Sequence, residues 1–116
     1  SNDHPAAWIR REVAALASAA SEKLGPRIGF TPGDVLVNDD YCLAGYGVLT
    51  AAEREAIDLF ARQEGVLLDP VYTGRAAAGL IDLVRKGFFD KSARVLFWHT
   101  GGQAALFASD YQTIMG

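Results

Sequence analysis

A chain of 116 residues, half of them hydrophobic, is long enough to bury a core without disulfide or metal staples. Its 11 basic and 14 acidic residues are scattered and leave a formal net charge of -3, so it offers no basic face for nucleic acid or an anionic membrane. The single cysteine, Cys42, excludes an internal disulfide and a multi-cysteine zinc site, so no metal centre is expected and a reducing compartment, the cytoplasm, is the expected location.

No apolar run approaches the roughly 18–20 residues of a membrane span, and residues 5–24 carry Arg10, Arg11 and Glu12 in place of a signal-peptide layout. The opening Ser1-Asn2 reads as a cloning scar, which leaves room for native chain upstream.

Helical spacing of Trp8, Val13, Leu16, Ala17, Ala20 and Leu24 predicts a first helix over about 5–24, capped by Asp3 or a neighbour and stopped by Gly25-Pro26. After a turn-rich stretch, Val35-Leu36-Val37 reads as a short buried strand, followed by a loop that holds Gly45-Tyr46-Gly47. Thr50-Ala51-Ala52-Glu53 is a capping box, and it opens a second helix that turns Ile57, Phe60 and Ala61 inward and ends near Gly65. Val66-Leu67-Leu68 is the second candidate strand, closed by Asp69-Pro70. Ala77, Leu80, Ile81 and Val84 form the apolar stripe of a third helix over about 74–86, ended by Arg85, Lys86 and Gly87. The run Val95-Leu96-Phe97-Trp98 has the composition of a strand buried on both faces, and Gly101-Gly102 turns it into a last helix over about 103–111.

This alternation predicts a single α/β domain, a three-layer αβα sandwich around a mainly parallel sheet. Ligands of such sheets bind beyond the carboxyl ends of the strands, so the loops at 45–47, 72–74 and 100–102 are expected to converge.

Each loop holds groups able to do chemistry. Tyr72 and Thr73 stand at a strand end before a helix N-terminus, where a phenol and a hydroxyl can face a ligand. Local sequence alone favours the plainer reading, in which Thr73 caps the helix and Tyr72 fills core. His99-Thr100-Gly101-Gly102 lets backbone approach a ligand closely, or is only a tight turn. Tyr46 is held between two glycines, or is a packed loop aromatic. No Walker loop, dinucleotide fingerprint or nucleophile elbow is present, and Cys42 has no adjacent cation to activate it.

Taken together, residues 65–75 (GVLLDPVYTGR), 79–87 (GLIDLVRKG) and 95–102 (VLFWHTGG) resemble the D-cysteine desulfhydrase and 1-aminocyclopropane-1-carboxylate deaminase family, over most of the chain from Asp34 onward. The resemblance implies the C-terminal part of a larger pyridoxal-phosphate enzyme of the tryptophan-synthase-β-like fold type II. It implies that Tyr46 and Tyr72 flank substrate and cofactor as catalytic residues, and that Thr73, Thr100 and Gly101 line the cofactor near its pyridine nitrogen. The deaminases carry glutamate where this chain has Thr73, so the resemblance points to the desulfhydrase branch: β-elimination of D-cysteine, or a similar small amino acid, to pyruvate, ammonia and sulfide. Deamination of 1-aminocyclopropane-1-carboxylate and a non-catalytic, stand-alone binding module are the alternatives.

Arg75 departs from the family's usual lysine, and the cofactor-binding lysine and the phosphate loop of the family have no counterpart here. Lys23, Lys86 and Lys91, the only lysines, sit at helix ends or turns, so the chain alone is expected to be inactive. The aromatic load of Phe88-Phe89, Phe97-Trp98 and Phe107 predicts self-association, with a homodimer the simplest form.

Overall fold

The computed structural model describes residues 4–42, 44, 45, 47–108 and 111. They fall into two compact units, residues 1–43 and 44–116.

The first unit is built on helix α1 (Ala6–Leu24), closed by Gly25 at φ 107°. Asp3, expected as its cap, lies outside the described residues, and Pro5 holds the N-cap position without a side-chain hydrogen bond. The buried side of α1 differs from the predicted stripe. Ala14 and Ser21 are buried, whereas Val13, Leu16 and Leu24 are exposed. The reason is hydrogen bonding: the Ser18 hydroxyl accepts the Phe30 N–H at 2.8 Å and Ser21 accepts that of Ile28 at 2.8 Å. The small, hydroxyl-bearing side of the helix thereby satisfies the backbone of the extended segment beside it.

The second unit is a helix pair. Helix α2 (Ala51–Glu64) begins at the predicted capping box, where the Glu53 carboxylate accepts both the Thr50 N–H at 2.9 Å and the Thr50 hydroxyl, and it ends on Gly65 in the left-handed conformation. Helix α3 spans Thr73–Arg85. Ala56 and Ile57 of α2 meet Ala77 and Ala78 of α3 around Leu68, with Leu49, Phe60, Val66, Ile81 and Phe97 packed at the margin of this core. The alanines carry little side-chain bulk into the contact, which suits close helix approach. At the surface, Arg85 pairs with Glu55, an exposed contact of small energetic weight.

The predicted three-layer αβα sandwich is not what forms. The described residues contain three α-helices and three short 3-10 turns and no strand. Residues 35–37, 66–68 and 95–98 have strand composition, but a strand exists only where a neighbour completes its hydrogen-bond ladder, and no ladder forms among the described residues. The run 95–98 is also not buried on both faces: Leu96 is 80% and Trp98 76% exposed, while Phe97 turns inward onto the Phe60 ring at 5.4 Å between centroids. The predicted last helix is a 3-10 turn, Gln103–Phe107, because successive N–H groups reach back three residues, as from Ala105 to Gly102 and from Ala108 to Ala105. No helix among the described residues is long and apolar enough to cross a membrane.

Candidate functional site

The three loops singled out in the sequence are joined within the second unit by named contacts. The first joint is Asp69, which the sequence marks only as the close of a strand-like run. Its Oδ2 accepts the N–H groups of Val71 and Tyr72 at 2.8 and 2.7 Å, and its Oδ1 accepts the N–H and hydroxyl of Thr73, each at 2.6 Å. The Thr73 oxygen in turn accepts the Asp69 N–H at 2.8 Å, and the Gly74 N–H donates to the Asp69 carbonyl at 2.8 Å.

Asp69 is therefore the group that satisfies the amides at the start of α3, and Thr73 is the first helical residue. The anion-friendly N-terminus of α3 holds the protein's own carboxylate. Asp69 is only 1% exposed. Burial pushes its carboxyl up, but the Thr73 hydroxyl and the three backbone amides outweigh burial and hold it below the usual carboxylate range.

Against this turn lies the 99–102 segment. A methyl group at Gly102, where φ is 94°, would stand 2.8 Å from Asp69 Cγ, so backbone approaches the carboxylate as only glycine allows. One residue group earlier, His99 Nδ1 accepts the Gly101 N–H at 3.0 Å and Nε2 lies 3.0 Å from the Leu67 carbonyl. That pair of contacts requires the tautomer protonated on Nε2. His99 thus ties residue 67 to residue 101 and acts as a brace between turns. Thr100 is exposed beside Gly101, whose φ is 95°.

The remaining loop, residues 45–48, is joined to α3 by Arg75. Its Nη1 donates to the Gly45 carbonyl at 2.9 Å, its Nη2 to the Val48 carbonyl at 2.8 Å, and its Nε to Glu53 at 2.9 Å. The Gly47 carbonyl accepts the Tyr111 hydroxyl at 2.7 Å. Tyr46, the predicted catalytic residue of this loop, lies outside the described residues.

Of the other predicted site residues, Tyr72 is 58% exposed at the N-cap of α3, whereas Thr73 is 3% exposed. Thr100 and Gly101 share the 99–102 turn. Tyr72 and Thr100 therefore present exposed side chains on two turns that meet at Asp69, with Thr73 beneath. Among the described residues, no group of three or more His, Cys, Asp and Glu side chains could hold a metal ion.

Comparison with known proteins then gives the decisive observation. The chain is 43% identical over 100 residues to a 1-aminocyclopropane-1-carboxylate deaminase of Methylobacterium sp. (strain 4-46), covering 86% of this chain and 30% of that protein. It is 40% identical over 105 residues to a protein of the same name from Methylobacterium nodulans, covering 90% of this chain and 31% of the relative. The chain is a homologue of 1-aminocyclopropane-1-carboxylate deaminases. It spans about three tenths of the length of these deaminases. No protein-family model matches it.

Proposed function

We propose that the chain forms the C-terminal part of a larger pyridoxal-phosphate-dependent deaminase acting on 1-aminocyclopropane-1-carboxylate or a small amino acid of similar shape. The likeness to the Methylobacterium deaminases over most of the chain carries this reading. It corrects the emphasis drawn from Thr73 alone, since both of these relatives bear the deaminase name.

The residues present fit one edge of such a cofactor. Tyr72 and Thr100 offer exposed side chains, and the 101–102 backbone, with φ of 95° and 94°, leaves a surface without side-chain bulk. The amides at the start of α3 would not hold the phosphate, because Asp69 already engages them. A lysine joined to the cofactor also comes from elsewhere: Lys23 and Lys91 are exposed, and Lys86 pairs with Asp82 at 2.6 Å.

When bound, pyridoxal phosphate draws electron density from the bonds at the amino acid's α carbon. The chain's own contribution is orientation and proton handling. The exposed Tyr72 phenol, at the N-cap of α3, would accept or return a proton, and the family resemblance assigns a like role to Tyr46. The exposed Thr100 hydroxyl would offer a hydrogen bond to the cofactor, and Gly101, with no side chain, would leave room beside it. Thr73, buried and with its hydroxyl proton committed to Asp69, would act only by holding the turn that carries Tyr72.

D-cysteine desulfhydration is the second reading, favoured by one feature of the family resemblance, which sets the neutral Thr73 where deaminases carry glutamate; without a carboxylate there the ring nitrogen would stay closer to unprotonated, a milder electron sink that suits β-elimination. Side-by-side kcat/KM values for ammonia release from 1-aminocyclopropane-1-carboxylate and sulfide release from D-cysteine, measured on the full-length protein with pyridoxal phosphate, decide between them. Preference for the cyclopropane substrate is expected, preference for D-cysteine would install the second reading, and turnover of neither would overturn both.

A further inference from the structure

A cation in the first turn of a helix faces the positive end of the helix dipole and is unfavourable unless compensated. Arg75, the third residue of α3, stands there, and it is buried. Its compensation is built from three directions. Nε meets the Glu53 carboxylate, whose side chain is 4% exposed, and the two terminal nitrogens meet the carbonyls of Gly45 and Val48.

Glu53 is itself fixed, because its other oxygen accepts the N–H and hydroxyl of Thr50 at the cap of α2. Burial raises the Glu53 carboxyl, but the Thr50 hydroxyl, the Arg75 guanidinium and backbone amides together hold it below the usual range, so it carries its charge at neutral pH. The guanidinium is thereby anchored on the helix pair and reaches both ends of the 45–48 loop with a rigid fork that a lysine ammonium cannot present. Tyr111 adds a third side-chain donor on the carbonyl between them.

We infer that Arg75 is a positioning residue: it clamps the 45–48 loop, which carries Tyr46 in sequence, onto the N-terminal turn of α3 that carries Tyr72. The consequence for catalysis rests on the deaminase reading, whereas the clamp itself does not. Arg75 is engaged by Glu53 and the two loop carbonyls, so its effect on the reaction would run through the loop it holds.

The test uses the full-length protein with pyridoxal phosphate and the variants Arg75→Lys and Tyr111→Phe, which keep the buried charge or the ring and so leave folding least disturbed. Losing a charge-assisted carbonyl contact should raise amide exchange over residues 44–49 about tenfold or more in R75K, with the interiors of α2 and α3 unchanged, and Y111F should give a smaller rise. In R75K kcat should fall about tenfold while KM and the cofactor's absorbance spectrum stay near wild type, the signature of lost positioning. Unchanged exchange at 44–49 overturns the clamp, and raised exchange with unchanged kcat overturns its catalytic consequence. If wild type turns over neither substrate, the deaminase reading fails, and the exchange comparison alone decides the clamp.

Discussion

Gly74→Ala sets two physical expectations against each other. Replacing glycine by alanine inside a helix ordinarily stabilises by about 1 kcal/mol. Here the added methyl would stand 2.6 Å from the Asp69 carbonyl oxygen and 3.1 and 3.2 Å from two carbons of Ile57. The carbonyl cannot swing aside without cost, because it accepts the Gly74 N–H at 2.8 Å in the same turn that holds the Asp69 carboxylate. Overpacking of this kind costs about 1–3 kcal/mol, and loosening the hydrogen bond adds about 1 kcal/mol. After the gain in helix propensity is subtracted, a net destabilisation of about 1–3 kcal/mol remains. With a urea slope of about 1–3 kcal/mol/M, the denaturation midpoint should drop by about 1 M. Gly29→Ala is the comparison, since a methyl there meets open space, and it should leave the midpoint within a few tenths molar of wild type or slightly above it. A Gly74→Ala protein as stable as wild type would refute the tight Asp69 turn.

Three further outcomes follow from the same turn and its neighbour. The Asp69 and Glu53 carboxyls are held below their ordinary values of 3.8 and 4.5, so the stability they contribute is fully present above those values and is lost as pH falls through the lower folded ones. Urea midpoints should therefore be flat from neutral pH down to about pH 5 and decline below it, and Asp69→Asn should remove part of that decline; an identical acid limb in D69N would count against the assignment. At neutral pH, D69N should itself cost about 2 kcal/mol, because an amide nitrogen must face backbone donors whichever way it is turned. Thr73→Val keeps the side-chain shape but deletes both hydroxyl contacts with Asp69, and should lower stability by about 2 kcal/mol in the same denaturation assay. A neutral T73V would mean the hydroxyl is not committed to Asp69.

What was legible in the sequence was local. The Thr50 and Glu53 pair announces the start of α2, and Gly65 its end, because caps are satisfied within a few residues of the helix they close. The limits of α3 were readable within a residue for the same reason. The role of Asp69 was half visible: an aspartate before proline signals a side chain that bonds the backbone two or three residues on, yet Thr73 drew attention as the more familiar cap. Arg75 had one local sign, a cation in a first turn, but its partners lie 22, 27 and 30 residues away in the chain.

The strands failed for a different reason. Valine, leucine and aromatic runs announce a preference for extended backbone, while a sheet is a relation between segments that no single run contains. In α1 the many alanines made several faces nearly equivalent, and the two serines that satisfy residues 28 and 30 decided which one was covered.

The proposed pyridoxal-phosphate-dependent deamination is tested by ammonia release from 1-aminocyclopropane-1-carboxylate by the full-length protein, before and after removal of the cofactor. Saturable release that disappears with the cofactor and returns when pyridoxal phosphate is added back is expected. Release that is indifferent to the cofactor, or no release under either condition, would contradict it.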